Sequence, residues 1–276
     1  MEYLYAFFLG VLQGVTEFLP ISSSGHLSLL EHILGIQEPE TFFDIVLHVG
    51  TLLAVLFFFR SLVFQIVASL IRCVKSRFTG NKPEAQDAQN AWLVAKVLVA
   101  SLPAGAVGFF FGDAMENLSK DPDIVSVLLI VNGLILLLNY RSKPVFSKTT
   151  HNLTSCSLAI CFAIGIVQAF AIFRGISRSG STITAGNLLG LNPLDSARFS
   201  FLLFLVAISG ALVLALSHYT PSSSSFTLEQ IIFGGLVAFV FGVISLKVLM
   251  KVLASKKLYF FAPYCIAIGV VGLLIL

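Results

Sequence analysis

A carboxylate, an imidazole and three hydroxyls stand in one short run, EFLPISSSGH (Glu17 to His26), and two guanidinium groups stand in another, FRGISRSG (Phe173 to Gly180). Gln13 and Glu17 are four residues apart, so on a helix they share a face. Glu17 and His26 are candidates for base and acid, and a hydroxyl of Ser22 or Ser23 for nucleophile or phosphate ligand. Attack by an activated water is equally open. Arg178 carries a planar fork suited to phosphate oxygens. Helical arms starting near Ser24 and Ser179 would add unpaired N–H groups and the positive end of the helix dipole. These groups together fit a phosphorylated ligand. A diphosphate carries more charge than Arg178, with His26 and Arg174 nearby, would balance. A divalent cation held by Glu17, Mg2+ or Ca2+, is therefore expected.

Simpler roles compete for some of these residues. Ser22, Ser24, Ser179 and Thr182 are equally suited to capping the arms that follow them. Arg174 reads as structural or neutral as readily as it reads as a phosphate ligand. Asp44 and His48, four apart at the start of an apolar run, read as a solvated or interhelical hydrogen-bonding pair. Cys73, Cys156, Cys161 and Cys265 have no metal-ligand spacing and read as packing residues.

The elements that must position these groups follow from composition. With 57% hydrophobic residues, 11% charged and 26 Phe in 276 residues, the chain lies outside the range of soluble domains. It is expected to be an all-α, polytopic integral membrane protein forming one membrane domain over 1–276. Apolar spans are predicted at 42–60, 92–112, 122–139, 195–217, 228–248 and 258–276, and the polar stretch Arg72 to Ala91 reads as a loop. Nothing at the N-terminus reads as a cleaved signal peptide. Basic residues cluster on one side: Arg60, Arg72, Lys75, Arg77, Lys82 and Lys96, then Arg141, Lys143 and Lys148, then Lys247, Lys251, Lys256 and Lys257. These thirteen of the seventeen Lys and Arg mark the cytoplasmic face and place both termini outside. The opposite loops carry Glu38, Glu40, Asp113, Glu116, Asp121, Asp123 and Glu229. Pro221 and Ser222 to Ser225 read as an external turn without visible chemistry.

Two segments, 2–35 and 153–192, are each an apolar arm, a polar break and a shorter apolar arm. A full crossing by either would invert the charge pattern of later loops, so both read as re-entrant hairpins, one dipping from outside and one from inside. Irregular backbone at that depth survives only when buried in protein or facing water, so the breaks should line a cavity. GVLQGVTEFLPISSSG (10–25) aligns with GIVQAFAIFRGISRSG (165–180) at an offset of 155. Gln13 falls on Gln168, Ser22 on Ser177, Ser24 on Ser179 and Gly25 on Gly180. Each half continues with three spans, so the second repeat (153–276) is inverted relative to the first (1–139), and the two breaks should meet near the midplane. The copies differ where chemistry is expected: Glu17 faces Ile172, Arg178 faces Ser23, and His26 faces Ser181.

The paired segments QGVTEFLPISSSGH and RGISRSGST, with FDIVLHVGT (43–51) and ARFSFLL (197–203), resemble the bacterial undecaprenyl pyrophosphate phosphatase family over essentially the whole chain. The resemblance implies a phosphatase of the bacterial plasma (inner) membrane that converts undecaprenyl diphosphate to undecaprenyl phosphate. That activity recycles the lipid carrier of cell-wall synthesis and confers bacitracin resistance. By position, Gln13 and Glu17 would bind or activate through the metal, Ser23 and His26 would work at the phosphate, and Ser177, Arg178 and Thr182 would hold the diphosphate. The implied partners are the isoprenyl diphosphate lipid and the bilayer, without nucleic acid, and a homodimer is allowed. One departure stands out: the family's proline before glycine is Arg174. A competing reading, an inverted-repeat secondary transporter or lipid flippase, rests on the broken helices. Because the first hairpin enters from outside, the site is expected to open to the outer, periplasmic side.

Overall fold

The computed structural model describes residues 2–34, 41–140, 151–217 and 227–276. Its helices are α1 (Glu2–Thr16), α2 (Ser23–Ile33), α3 (Thr41–Phe58), α4 (Arg60–Thr79), α5 (Ala85–Leu118), α6 (Pro122–Leu137), α7 (Leu158–Phe170), α8 (Arg178–Leu188), α9 (Pro193–Ser217), α10 (Leu228–Ala254) and α11 (Ala262–Ile275). The described residues contain no strand beyond an isolated bridge between His151 and Leu191. Among the described residues, five stretches are long and apolar enough to cross a membrane: 85–112, 122–140, 193–213, 228–254 and 258–275. The bent pair α3 and α4 raises the count to six, so the chain is an all-α multi-pass membrane protein.

Two boundaries differ from the sequence reading. Arg72 to Ala91 is mostly helical: α4 runs to Thr79 and α5 begins at Ala85, leaving only a short connection that starts with the left-handed Gly80 (φ 71°). Arg72 and Asp87 face one another across that turn in a bidentate ion pair (Nη2 to Oδ1 2.7 Å, Nε to Oδ2 2.9 Å), which makes a polar sequence compatible with two packed helices. Lys96, counted above among the surface charges, is buried in α5, where its ammonium donates to the Thr154 carbonyl at 2.8 Å. Glu38, Glu40, Arg141, Lys143, Lys148, Pro221 and Ser222 to Ser225 lie outside the described residues, as do the side chains of Asp113 and Glu116.

The arms of 2–35 and 153–192 are too short to span. At 1.5 Å per residue, the 15 residues of α1 reach about 22 Å and the 11 of α2 about 16 Å, against roughly 30 Å of hydrocarbon. The arms of the second hairpin, with 13 and 11 residues, are no longer. Small residues let the long arms seat against long helices. On α1, a Cβ at Gly10 would stand 2.6 Å from the Gly234 carbonyl oxygen of α10, and one at Gly14 2.6 Å from that of Ala238. On α7, Gly165 lies against the Ala100 carbonyl of α5 so closely that no Cβ fits. Gly10 and Gly165 are related by the same offset of 155 that aligns the two breaks. Without a hydrophobic drive between helices in lipid, such close backbone approach is what holds them together.

Candidate active site

The two breaks meet, and their backbones are tied to one another. A Cβ at Gly25 would stand 2.9 Å from Cα of Gly175, and one at Gly180 3.1 Å from Cβ of Pro20. The Gly175 N–H donates to Ser22 Oγ at 3.2 Å, and Ser179 Oγ donates to the Phe18 carbonyl at 3.2 Å. Asn132, fully buried on α6, joins both: its Nδ2 donates to the Pro20 carbonyl and its Oδ1 accepts from the Ser177 N–H, each at 2.9 Å. Each break ends in a matching cap. Ser22 Oγ accepts from the Gly25 N–H at the start of α2, and Ser177 Oγ from the Gly180 N–H at the start of α8. Gly175 sits at φ 107°, and a Cβ there would stand 2.7 Å from the Val125 carbonyl oxygen, so no other residue fits. Ser22 also has positive φ (70°), a strained geometry for a side-chain-bearing residue, held by the two N–H groups on its hydroxyl.

Glu17 is the hub of the polar cluster that results. Its Oε1 accepts from Arg178 Nη2 at 2.6 Å. Its Oε2 accepts from Ser23 Oγ at 2.5 Å and from Gln13 Nε2 at 2.9 Å. The carboxylate comes from the first hairpin and the guanidinium from the second, so neither copy holds the pair alone. Phe204 of α9 lies under the guanidinium, 4.0 Å from ring centre to Cζ, and stacks edge-on with the buried Phe18 beside Glu17. A buried charge pair needs such complete partnering, because each ion taken out of water alone costs several kcal/mol. The first-turn N–H groups of α2 and α8 have no intrahelical acceptors and add positive potential at the same place.

The other expected site residues separate into two groups. His26 does not touch Glu17. Its Nδ1 lies 2.8 Å from the Ser22 carbonyl, which only accepts, so Nδ1 carries the hydrogen; Nε2 lies 2.8 Å from the Tyr264 hydroxyl of α11. His26 thereby faces a cavity of about 270 Å³ walled by aliphatic side chains such as Leu29, Leu30, Ile268 and Val271. Arg174 reaches Glu31 of α2 at 3.5 Å. Ser22 and Ser177 act as caps, Ser24 lies 3.5 Å from Ser22 Oγ, and Ser179 3.1 Å from Ser177 Oγ. Thr182 donates to the Arg178 carbonyl (2.8 Å) and lies 2.7 Å from Ser200 Oγ, supporting the turn that carries Arg178.

Three residues beside the site were not expected there. His48 Nε2 stands 3.8 Å from Glu17 Oε2, with Nδ1 donating to the Asp44 carbonyl at 2.7 Å. The four-residue spacing of Asp44 and His48 was the available signal. Asn132 was legible as a lone amide in the apolar run VLLIVNGLILLL, the kind of intramembrane polar residue that is costly without a function. Nothing distinguished Phe204 from the other Phe residues.

The cation expectation was placed on Glu17. Among the described residues, no three His, Cys, Asp or Glu side chains converge as metal ligands. Both Glu17 oxygens already accept hydrogen bonds, and a guanidinium 2.6 Å away repels a second cation there. Mg2+ is commonly held by one or two carboxylates together with waters and substrate phosphate oxygens, so Glu17 would hold such an ion chiefly with a bound diphosphate and only weakly without one. Titration calorimetry of the protein alone should accordingly give no saturable Mg2+ or Ca2+ binding below millimolar concentration. Tight stoichiometric binding in the absence of any diphosphate would show that the ion is held without the substrate.

A family profile described as bacitracin resistance protein BacA matches residues 6–271. An undecaprenyl-diphosphatase of Desulfosudis oleivorans is 40% identical over 274 residues, covering 99% of this chain and 98% of that protein. One from Desulforapulum autotrophicum is 36% identical (99% and 98%), and one from Methanosphaera stadtmanae is 34% identical (100% and 98%).

Proposed function

This chain belongs to the bacitracin resistance protein BacA family, and on that premise we propose that it removes the terminal phosphate of undecaprenyl diphosphate, a membrane hydrolase whose product is undecaprenyl phosphate. The observation that carries the reading is the Ser23–Glu17–Arg178 chain at 2.5 and 2.6 Å, formed across the two hairpins. Ser23 donates its proton toward a carboxylate, the arrangement of a nucleophile beside its base. In the step so arranged, Ser23 Oγ bonds to the terminal phosphorus and its proton passes to Glu17 Oε2. The bond from phosphorus to the bridging oxygen breaks, undecaprenyl phosphate leaves, and water then cleaves the phosphoserine. Arg178 and the first-turn N–H groups of α2 and α8 offset the charge that builds on the phosphoryl oxygens. Gln13 orients Glu17, and Arg174, freed from Glu31, supplies a second positive charge. With the diphosphate bound, Glu17 would help hold a divalent cation, Mg2+ or Ca2+, whose charge would offset that of the phosphate oxygens.

The isoprenyl chain leaves this polar point along the aliphatic cavity that His26 faces. The division into repeats at 1–139 and 153–276 is part of the same reading, supported by the matched caps and matched glycines. The test is chemical: purified protein in detergent, given isoprenyl diphosphate with Mg2+ or Ca2+, should release inorganic phosphate. No release, with uptake of the lipid headgroup in vesicles, would move the chain to the transporter reading that its paired broken helices also suit.

The excess of basic residues in one set of loops supports the reading of a plasma-membrane protein whose first hairpin enters from outside. In intact cells or right-side-out vesicles, a Ser23→Cys variant should react with an impermeant thiol reagent added outside. Labelling from the cytoplasmic side alone would reverse the orientation.

A further inference from the structure

Arg174 and Arg178 stand four residues apart at the second break, and their ion pairs differ in strength. Arg178 Nη2 lies 2.6 Å from Glu17 Oε1, and the two side chains are 17% and 5% exposed. Arg174 Nη1 lies 3.5 Å from Glu31 Oε2, too long for a strong charge-assisted bond, and those side chains are 31% and 12% exposed. Asp44, in the first turn of α3, is close enough to Glu31 to repel it. Glu31 therefore gains from a cation beside it. The buried pair is fixed, whereas the longer and more exposed one can be traded for another anion.

The backbone puts a second anion within reach of Arg174. The next residue, Gly175, donates to Ser22 Oγ, and a Cβ at Gly25 would stand 2.9 Å from its Cα. Arg174 is thus anchored beside the first turn of α2. Glu31 lies six residues beyond Gly25, about 9 Å along the same helix, and its side chain leans back toward the helix N-terminus. The guanidinium therefore lies between the break and Glu31. A change of rotamer turns it to the first-turn N–H groups, which have no intrahelical acceptors and attract phosphate.

We propose that Arg174 and Glu31 form an exchangeable latch, in which Arg174 sets the preference for a diphosphate and Glu31 speeds release of the lipid product. The proposal rests on the phosphatase reading. A lipid diphosphate offers one phosphate to each guanidinium and draws Arg174 off Glu31. Once the terminal phosphate is on Ser23 beside Arg178, the departing lipid monophosphate is held by Arg174 alone. Its smaller charge loses Arg174 to Glu31. Glu31 touches neither substrate nor reacting atoms and acts as a positioning residue.

Binding calorimetry of the full-length protein at fixed Mg2+ tests the latch, with farnesyl methylenediphosphonate as the uncleavable diphosphate and farnesyl phosphate as the monophosphate. Arg174→Gln should weaken the diphosphonate by roughly tenfold, the scale of one hydrogen bond to a charged group. Farnesyl phosphate, held at Arg178, should bind that variant nearly as it binds wild type. Glu31→Gln should tighten the diphosphonate by roughly three- to fivefold, the scale of the pair no longer broken, and farnesyl phosphate by less. In the Arg174→Gln background, Glu31→Gln should change neither affinity. A merely structural pair would lower thermal stability in both single variants and tighten nothing. Tightening by Glu31→Gln that persists without Arg174 would overturn the latch, as would no tightening at all, and both outcomes leave the phosphatase reading standing. Wild type that binds neither lipid would overturn both.

Discussion

Glu17→Ala and Arg178→Ala are each expected to lower kcat/KM for phosphate release by roughly a thousandfold or more, the scale of losing a base or a charge-stabilising donor. Each should also destabilise the protein. The partner left behind is a buried charge without its counterion, and breaking such a pair costs about 3–5 kcal/mol. The informative comparison is therefore with the double variant. Removing both charges removes the stranded ion, so Glu17→Ala/Arg178→Ala should unfold at a higher temperature than either single variant while remaining inactive. Thermal unfolding in detergent and release of inorganic phosphate from isoprenyl diphosphate measure the two quantities separately. Near-normal turnover by the double variant would show that the pair only holds the hairpins together.

A second large effect is expected at a residue with no chemistry of its own. Asn132→Leu keeps the branched shape but strips the Ser177 N–H of its partner and leaves the Pro20 carbonyl only the long contact from Cys265 Sγ at 3.7 Å, in a dry interior. Each orphaned backbone group costs roughly 1–3 kcal/mol, and the loss falls where the two breaks touch. Activity should fall by about a hundredfold, because displacing a catalytic group by an ångström is enough for a loss of that size. Asn132→Asp, which still accepts from Ser177 but cannot donate to Pro20, should fall between wild type and Asn132→Leu in both stability and turnover. Full activity in Asn132→Leu would mean that the breaks are held by their serine contacts alone.

Much of this architecture was legible before any coordinates. Apolar runs cannot hide from a count of residues, and the spans at 122–139, 195–217, 228–248 and 258–276 follow from length and hydropathy alone. The short arms of the hairpins were legible because each polar break interrupts a run that would otherwise have crossed. Amphipathic α4 was missed because its polar face made the stretch from Arg72 read as a loop. Only the ion pair with Asp87, fifteen residues on, reveals why it remains helical. Lys96 was misplaced for a related reason: a charge near a span end normally marks the surface, and no sequence rule foresees a carbonyl at Thr154 waiting for it.

At the site, residue types and the offset between the copies brought Glu17 and His26 together with Arg178 and several hydroxyls, without choosing among the serines. A carboxylate and a guanidinium set deep in lipid each demand a partner, and the break in the other copy is where each must find one. Which groups share the cluster was decided only by the tertiary structure. His26 turns away to Tyr264 and the aliphatic cavity, whereas His48 arrives from α3, and Thr182 supports the turn that carries Arg178. Sequence spacing determines the face of a helix on which a side chain stands. The rotation and depth of that helix against its neighbours, set here by glycines at Gly10, Gly14 and Gly165 and by one buried asparagine, determine what the side chain meets.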